Sequence, residues 1–269
     1  PAWKIYKDKP WPEQAKRFAA MVTMVDRQVG DVLDLLKELD LEDNTIVFFC
    51  GDNGGNDYFK DKEHPRGFHG ANVHPKTGLE FRGKKGNLYE GGLRIPMIVR
   101  WPGKIKHDRV SEHLWYFPDV MPTVAELTGT KAPKDTDGIS IVPELVGADA
   151  AGREQAEHEY LYWELNGQTA VRMKDWKAVQ PRNGKWELYD LSTDISEAND
   201  IADKNADVLA KMKGFAAAAH EPVREGKFFN PEIHERDRRA KFGGKRAAVP
   251  SGKLNSLVDH RVIESLYRA

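Results

Sequence analysis

Apolar residues recur at spacings of three and four in the first part of the chain, after a proline at position 12. The repeat consists of Phe18, Val22, Val25, Val29, Val32 and Leu36. This spacing places the apolar side chains on one side of a helix, and proline is well tolerated in a first helical turn. The pattern predicts an amphipathic helix over residues 12–39.

A continuous apolar run, TIVFFC, follows at residues 45–50. Because it is β-branched and aromatic on both faces, it predicts a central parallel strand covered by helices. RIPMIVRWPG at 94–103 predicts another buried strand, and FPDVMPTVAELTG at 117–129 predicts a short helix. Residues 54–92 show little periodicity and predict a long loop over the carboxyl edge of the sheet, where ligands bind in open α/β folds.

The pattern changes near residue 155, where short aromatic segments (EYLYWEL, TAVRMKD, WKAVQ, WELYDLS) precede one helical stretch. Such a series predicts a small antiparallel sheet with a helix behind it. We therefore predict three parts: part of an α/β domain, with its sheet sandwiched by helices, at 1–155, a small α+β subdomain at 156–230, and a basic extension at 231–269. The extension shows a basic cluster without a folded binding motif, which favours a solvated surface segment over a polyanion-binding one.

Composition narrows the classes of function. The 269 residues are 40% hydrophobic, enough for a sizeable core, and a net charge of −1 points to neither nucleic acid nor an anionic membrane. No apolar run approaches the roughly 18 residues of a membrane span. The single cysteine, Cys50, cannot form an intramolecular disulfide and is expected to be a buried, inert side chain. Because the chain starts at Pro1 without a signal-peptide pattern, we expect a processed start or the later part of something longer.

Polar residues directly follow the first predicted strand. Asp52 and Asn53 offer hard oxygen ligands that suit Ca²⁺, with Mg²⁺ as the alternative ion. Gly54 and Gly55 would let the backbone approach a ligand closely. The alternative is a plain turn, since Asp-Gly and Asn-Gly pairs are frequent turn formers.

A second polar block, RGKKGNLYEGGLR at 82–94, precedes the next strand and places Lys84 and Lys85 between glycines. A lysine ammonium binds a tetrahedral oxyanion as a point charge, although most lysine pairs belong to solvated basic loops. A metal-binding pair and an anion-binding lysine at two strand ends of one sheet together predict a site for a sulfate or phosphate ester.

Histidines lie in the loop between the two blocks, at positions 64, 69 and 74. We take His69 and His74 as candidate substrate-binding residues that could contact the leaving group, because histidine titrates in a useful range. A solvent-exposed polar loop is the alternative interpretation.

These blocks together resemble the sulfatase family, of the arylsulfatase type. The resemblance covers roughly residues 12–230, in the family's order, and rests on MVDRQVGDVLDLLKELDLEDNTIVFFCGDNGG, FRGKKGNLYEGGLRIPMIVRWPG, DVMPTVAELTG, DGISIVPELVG and LYDLSTDISEANDIA. It implies an alkaline-phosphatase-like α/β fold and a sulfuric ester hydrolase with a calcium site. It also implies a periplasmic or secreted location, since such enzymes are usually exported.

The resemblance further implies a role for individual residues. Asp52 and Asn53 correspond to the family's metal-binding pair, and Lys85 corresponds to its sulfate-binding catalytic lysine. Glu90 and Arg94 belong to the same block as Lys85 and are implied to hold the loop rather than to touch substrate.

The family's nucleophile has no counterpart in this sequence. That nucleophile is a formylglycine made from the Cys or Ser of a C/S-x-P-S-R motif near the N-terminus, and Cys50 is followed by GDNG instead. The resemblance therefore implies the C-terminal part of a sulfatase, inactive alone, whose partners are the missing N-terminal portion and a sulfated small molecule or carbohydrate. The alternatives are a phosphate or phosphonate ester hydrolase of the same superfamily, or a non-catalytic sulfatase remnant.

Overall fold

A helical region, a two-stranded sheet and a four-stranded sheet follow one another along the chain. The computed structural model describes residues 2–57, 60, 62–65, 67, 70 and 72–222. The helices are α1 (Trp3–Tyr6), α2 (Glu13–Glu38), α3 (Glu90–Leu93), α4 (Val120–Leu127), α5 (Val142–Val146), α6 (Ala148–Ala151) and α7 (Ala206–Ala219). The strands are β1 (Val47–Cys50), β2 (Met97–Arg100), β3 (Leu161–Leu165), β4 (Gln168–Met173), β5 (Trp176–Gln180) and β6 (Glu187–Asp190).

All of these elements lie within one contact unit, Pro1–His220. The domain boundaries expected near residues 155 and 230 stay a prediction. The basic extension expected at 231–269 lies outside the described residues.

The predicted amphipathic helix is confirmed as α2, which begins directly after Pro12. It contacts α1, where the Tyr6 and Thr23 hydroxyls are 2.7 Å apart. The only buried residue of α2 is Ala20. Its apolar side chains, expected to face a core, are instead largely exposed, as in Met21, which is 64% exposed.

The predicted strands at 45–50 and 94–103 are confirmed as β1 and β2, but the predicted parallel, buried arrangement is wrong for this pair. The two strands pair antiparallel, with Val47 opposite Arg100 and Cys50 opposite Met97. Apolar residues on both faces indicate which surfaces a strand can bury, but they do not encode the direction of its neighbour. Within the described residues Cys50 is half-buried rather than buried, and Ile98 is 62% exposed.

The predicted helix at 117–129 is confirmed as a 3₁₀ turn, Phe117–Asp119, followed by α4. Its start is held by the buried Asp119 carboxylate, which accepts a hydrogen bond from the Tyr116 backbone N–H at 3.0 Å. This contact satisfies one of the backbone donors that a helix start leaves unpaired.

The predicted antiparallel sheet with one helix is also confirmed. Strands β3 to β6 are hydrogen-bonded in chain order, each antiparallel to the next. Asn166 and Gly167 connect β3 to β4 with φ values of 51° and 75°. Two positive φ values in a two-residue loop match the right-handed twist of the paired strands, which explains the Asn-Gly sequence.

Each face of this sheet covers its own core. Alternate residues point to α7 on one side, giving a core of Val171, Ala178, Leu188, Ala202, Met212 and Ala216. The intervening residues point to the other side, giving a core of Leu88, Tyr89, Ala170, Val179, Tyr189 and Leu191. Because Leu88 and Tyr89 belong to the block at 82–94, that block packs directly on the sheet.

Candidate active site

The antiparallel pairing of β1 and β2 brings the two polar blocks together. It places the end of β1 beside the start of β2, whereas a parallel pair would separate the blocks by the length of the strands. Two backbone hydrogen bonds join them, Gly54 N to Gly92 O at 2.9 Å and Lys85 N to Gly55 O at 2.9 Å. A third, Gly51 N to Pro96 O at 3.3 Å, joins the adjoining strand ends.

Gly54 permits this contact between the two blocks, and Gly92 permits a close approach of backbone within the second block. A Cβ atom on Gly54 would lie 1.9 Å from the Gly91 carbonyl oxygen, and one on Gly92 would lie 2.1 Å from the Asn87 carbonyl oxygen. The close neighbour of Gly54 is thus the second polar block, and the expectation that this backbone approaches a ligand stays a prediction. Only glycine fits here, because any side chain would overlap main-chain atoms.

The predicted metal-binding pair lies at the outer end of this junction. Asp52 is exposed, and its carboxylate has no hydrogen bond or ion pair to any residue that the structure describes. Asn53 is half-buried and donates from Nδ2 to the Gly54 carbonyl at 3.0 Å. That contact turns the amide so that its Oδ1 atom keeps its acceptor capacity.

These two side chains fit a hard cation as part of its ligand shell. Their carboxylate and amide oxygens are ligands that Ca²⁺ accepts, but Ca²⁺ takes six to eight oxygens. Among the described residues, no group of three or more His, Cys, Asp or Glu side chains could hold a metal ion. Asp52 and Asn53 would therefore need further ligands from elsewhere.

The two adjacent lysines differ in their environment. The Lys84 ammonium contacts the Asp57 carboxylate at 2.6 Å, and Lys60 contacts the same carboxylate at 3.1 Å. Hydrogen bonds from Lys84 and then Lys60 lower the pKa of Asp57 to about 2. Lys85 is exposed, and its ammonium has no partner within the described part of the chain. Of the two, Lys85 is the lysine with a charge available to an incoming anion.

The candidate substrate-binding histidines are less informative. His74 is half-buried and its Nδ1 lies 3.0 Å from the Thr77 hydroxyl, within a local turn. His69 lies outside the described residues. A substrate-binding role for either histidine stays a prediction.

Glu90 is buried at the centre of an ion-pair cluster, as the loop-holding role implied. Its carboxylate contacts Lys177 Nζ at 2.7 Å, Arg94 Nε at 2.5 Å and Arg172 Nη1 at 3.3 Å. Burial raises the pKa of Glu90, but the cations of Lys177, Arg172 and Arg94 outweigh it and hold that pKa at about 2.

A second buried carboxylate, Glu197, completes this cluster. It accepts a hydrogen bond from the Glu90 backbone N–H at 2.7 Å and lies 3.1 Å from Lys177 Nζ. Burial raises the pKa of Glu197, and the neighbouring Glu90 carboxylate adds to that increase while Lys177 opposes it. The cluster ties the second polar block to β4, β5 and the segment after β6.

Two protein-family models match this chain. The family model "N-sulphoglucosamine sulphohydrolase, C-terminal" matches residues 82–217, half of the chain, and the model "Sulfatase" matches residues 4–130. The chain belongs to the sulfatase family. The two models overlap at residues 82–130. Together they cover both polar blocks and the four-stranded sheet.

Sulfatase relatives agree with this assignment. An N-acetylgalactosamine-6-O-sulfatase of Bacteroides thetaiotaomicron is 31% identical over 209 residues, covering 71% of this chain and 39% of that protein. A steryl-sulfatase of Mus musculus is 40% identical over 161 residues, covering 59% of this chain and 24% of that protein. The chain thus spans well under half the length of these relatives.

Solved structures confirm the α/β fold. The structure described as Ps i-CgsB in complex with k-i-k-neocarrahexaose superposes with a TM-score of 0.69 and 27% identity, covering 89% of this chain and 50% of that one. A phosphonate monoester hydrolase of Agrobacterium radiobacter, with a TM-score of 0.53 and 22% identity, shares the fold. No helix among the described residues is long and apolar enough to cross a membrane.

The sequence analysis did not identify the residues through which the four-stranded sheet and the segment after β6 contact the second polar block: Lys177, Arg172 and Glu197. Lys177 did carry a signal, because a lysine inside the apolar strand WKAVQ would face a core. Arg172 and Glu197 carried none, since charged residues at a strand end and in a turn are ordinary. Their partners became visible only once the sheet and the block lay together.

Proposed function

We propose that this chain supplies part of the active site of a sulfuric ester hydrolase. The observation that supports the proposal is the backbone junction between the two polar blocks, where Asp52 and Lys85 are both exposed and unpaired within the described residues. A carboxylate that is not neutralised attracts a cation, and a free ammonium attracts an anion. A metal-assisted sulfate site needs both.

Each residue has a distinct proposed role. Asp52 and Asn53 would hold Ca²⁺, with Mg²⁺ as the alternative, and the ion would neutralise charge on the sulfate. Lys85 binds the sulfate oxygens as a point charge and stabilises the charge that builds up as the ester bond breaks. His69 and His74 are proposed to contact the rest of the substrate.

The proposed substrate is a sulfated carbohydrate. The name of the Bacteroides relative refers to an N-acetylgalactosamine sulfate, and the Ps i-CgsB structure is described as a complex with a neocarrahexaose. Both cover more of this chain than the steryl-sulfatase does. A periplasmic or secreted location accords with such a substrate.

The proposed partner is an N-terminal sulfatase portion that carries the formylglycine nucleophile and the remaining metal ligands. Exposed apolar side chains on α2 and on the β1–β2 sheet support this, because an apolar surface of this kind normally packs against more protein. The residues concerned are Phe18, Met21, Val22, Met24, Val25, Val32, Leu35, Phe49 and Ile98.

The test uses the native protein with its full complement of polypeptide. Its intact mass and peptide map are determined, and turnover of 4-nitrophenyl sulfate and 4-nitrophenyl phosphate is compared with and without Ca²⁺. We expect a formylglycine peptide, Ca²⁺-dependent sulfate release, and loss of that activity in Lys85→Ala. A single species of 269 residues without turnover would support the remnant alternative, and preferential phosphate release would support the phosphatase alternative.

A further inference from the structure

The second polar block is held by the four-stranded sheet at several points beyond the cluster at Glu90. Arg82 donates from Nη1 to the Tyr189 hydroxyl at 2.6 Å and to the Glu197 carbonyl at 3.0 Å. Gln168, the first residue of β4, donates from Nε2 to the Gly86 carbonyl at 2.9 Å. The contact from Gln168 is the one beside Lys85, because Gly86 is the next residue along the chain.

Lys85 therefore lies between two held backbone groups. On one side, its own N–H donates to the Gly55 carbonyl of the first polar block at 2.9 Å. On the other side, Gln168 holds the Gly86 carbonyl from the sheet. The side chain of Lys85 itself is exposed and unpaired within the described residues, so only its backbone fixes where the ammonium begins.

The backbone at Gly86 needs such a hydrogen bond to keep one conformation. It has φ of +90°, and no heavy atom lies within 4 Å of the position that a Cβ would occupy. Glycine visits positive and negative φ about equally, so the chain can rotate here at little cost. A hydrogen bond on the Gly86 carbonyl selects one of these conformations.

Gln168 is suited to this task. It is only 9% exposed, and it lies on the sheet face that also carries Ala170 and Arg172 toward the second polar block. Its Nε2 is also 3.4 Å from the Leu165 carbonyl within its own hairpin, a longer and weaker contact. The shorter contact is the one that crosses between the sheet and the block.

We propose that Gln168 is a positioning residue that fixes the Lys85 ammonium for oxyanion binding by holding the Gly86 carbonyl. This inference rests on the proposed sulfate-binding role of Lys85. It assigns to the small sheet a part in forming the anion site, in addition to its part in stability.

The test is a double-mutant cycle in the native protein, with inorganic sulfate as the probe. Gln168→Leu removes the donor and keeps similar bulk, Gln168→Asn keeps an amide that is too short to reach Gly86, and Lys85→Met removes the ammonium. Gln180→Leu is the matched control, since Gln180 lies on the neighbouring strand and its longer contact, 3.5 Å, goes to Gly184. Sulfate dissociation constants, kcat and KM for 4-nitrophenyl sulfate, and thermal midpoints are measured.

We expect both Gln168 variants to weaken sulfate binding about fivefold, which corresponds to the loss of one hydrogen bond. The Gln180→Leu control should bind sulfate as tightly as the unmodified protein. In the Lys85→Met background, Gln168→Leu should cause no further loss, because residues that act through one another are not additive. Gln168→Asn is the gentler change and keeps the test valid if Gln168→Leu does not fold.

Two results would overturn the inference alone: sulfate affinity unchanged in a folded Gln168 variant, or independent, multiplying losses from Gln168→Leu and Lys85→Met. These results leave the proposed function standing as long as the unmodified protein hydrolyses the sulfate ester. Absence of turnover in the unmodified protein, with sulfate binding that does not depend on Lys85, would overturn the proposed function and this inference together.

Discussion

The four-stranded sheet with α7 and the N-terminal region of α2 with β1 and β2 bury their apolar residues to very different degrees. Met212 on α7 and Ala178 on β5 are fully buried, whereas Met21 on α2 is 64% exposed and Ile98 on β2 is 62% exposed. Both regions have clear apolar patterns in sequence. The difference shows that a pattern specifies a surface to be covered, while the covering element has to come from the tertiary structure.

The two regions also differ in their charges. The sheet buries an ion-pair cluster around Lys177, and the N-terminal region has pairs on the surface, such as Arg17 with Glu13 at 3.0 Å. A buried charge without its partner is costly, whereas surface pairs contribute little. The four predictions below, in order of decreasing effect, test this contrast.

Lys177→Met should have the largest effect on stability. It leaves the Glu90 and Glu197 carboxylates buried without the cation between them, which costs about 3 to 5 kcal/mol for a broken buried pair. Urea unfolding measures the loss. Lys174→Met, at a lysine 3.9 Å from Glu157 on the surface, is the control and should be close to neutral. Equal effects for the two variants would contradict the contrast.

Met212→Ala should be strongly destabilising, while Met21→Ala should not. Removing the buried Met212 side chain creates a cavity beneath the sheet, at a cost of about 3 kcal/mol. Met21 is exposed, so its removal opens no cavity in this chain. Urea unfolding of the 269-residue chain compares the two, and a matching loss for Met21→Ala would show that the α2 surface is already covered.

Gly54→Ala should separate the two polar blocks. The added Cβ would lie 1.9 Å from the Gly91 carbonyl oxygen, so backbone has to shift, at a cost of about 2 kcal/mol. Gly30→Ala is the matched control, because nothing lies within 4 Å of that Cβ position in α2, and alanine favours helix by about 0.5 to 1 kcal/mol. Thermal unfolding should therefore move in opposite directions. A shift in the same direction would contradict the packing described at Gly54.

The smallest effect, about 1 kcal/mol between roughly pH 4.5 and pH 3.5, is a pH dependence to which Glu90 contributes. Its folded pKa is about 2, below the usual 4.5, so its contribution to stability is present above pH 4.5 and is lost as pH falls toward 2. Glu197 has a raised pKa and acts in the opposite sense, so stability falls as pH rises above 4.5 toward that pKa. Asp57, whose pKa is also lowered to about 2, contributes to the same acid-side slope. Urea unfolding at a series of pH values should show that Glu90→Gln reduces this slope, and an unchanged slope would exclude Glu90 as one of its sources.

Much of the secondary structure could be predicted because each element has a local signal. The heptad-like spacing in α2, the apolar run in β1 and the Asn-Gly turn at 166 and 167 depend on residues close together in the chain. The direction of β1 relative to β2 has no such signal, since it depends on a partner strand about fifty residues away. That strand pairing was the main error in the predicted fold.

At the candidate site, too, some residues could be selected from the sequence and others only from the structure. Asp52, Asn53 and Lys85 were selected from residue type and position after or before a strand, and the structure leaves their roles as proposals. The choice of Lys85 over Lys84 gained support from Asp57, whose contact with Lys84 could not be read from spacing. Gln168 gave no signal in the sequence, and the lysine at 177 inside an apolar strand indicated burial but not its partners, because both residues depend on what packs on their strand face.

The amino-acid sequence by itself determined the three longest helices and the strands, the family and the chemical types available at the candidate site, because periodicity, turn residues and short motifs are local properties. The tertiary structure alone decided that β1 and β2 run antiparallel, that Gly54 packs on the Gly91 backbone, and that Glu90 meets Lys177 across 87 positions of the chain. The physical reason is that burial and ion pairing depend on distances in space. Bringing together residues that are far apart in the chain costs loop-closure entropy, and only the packing of whole elements against one another offsets that cost.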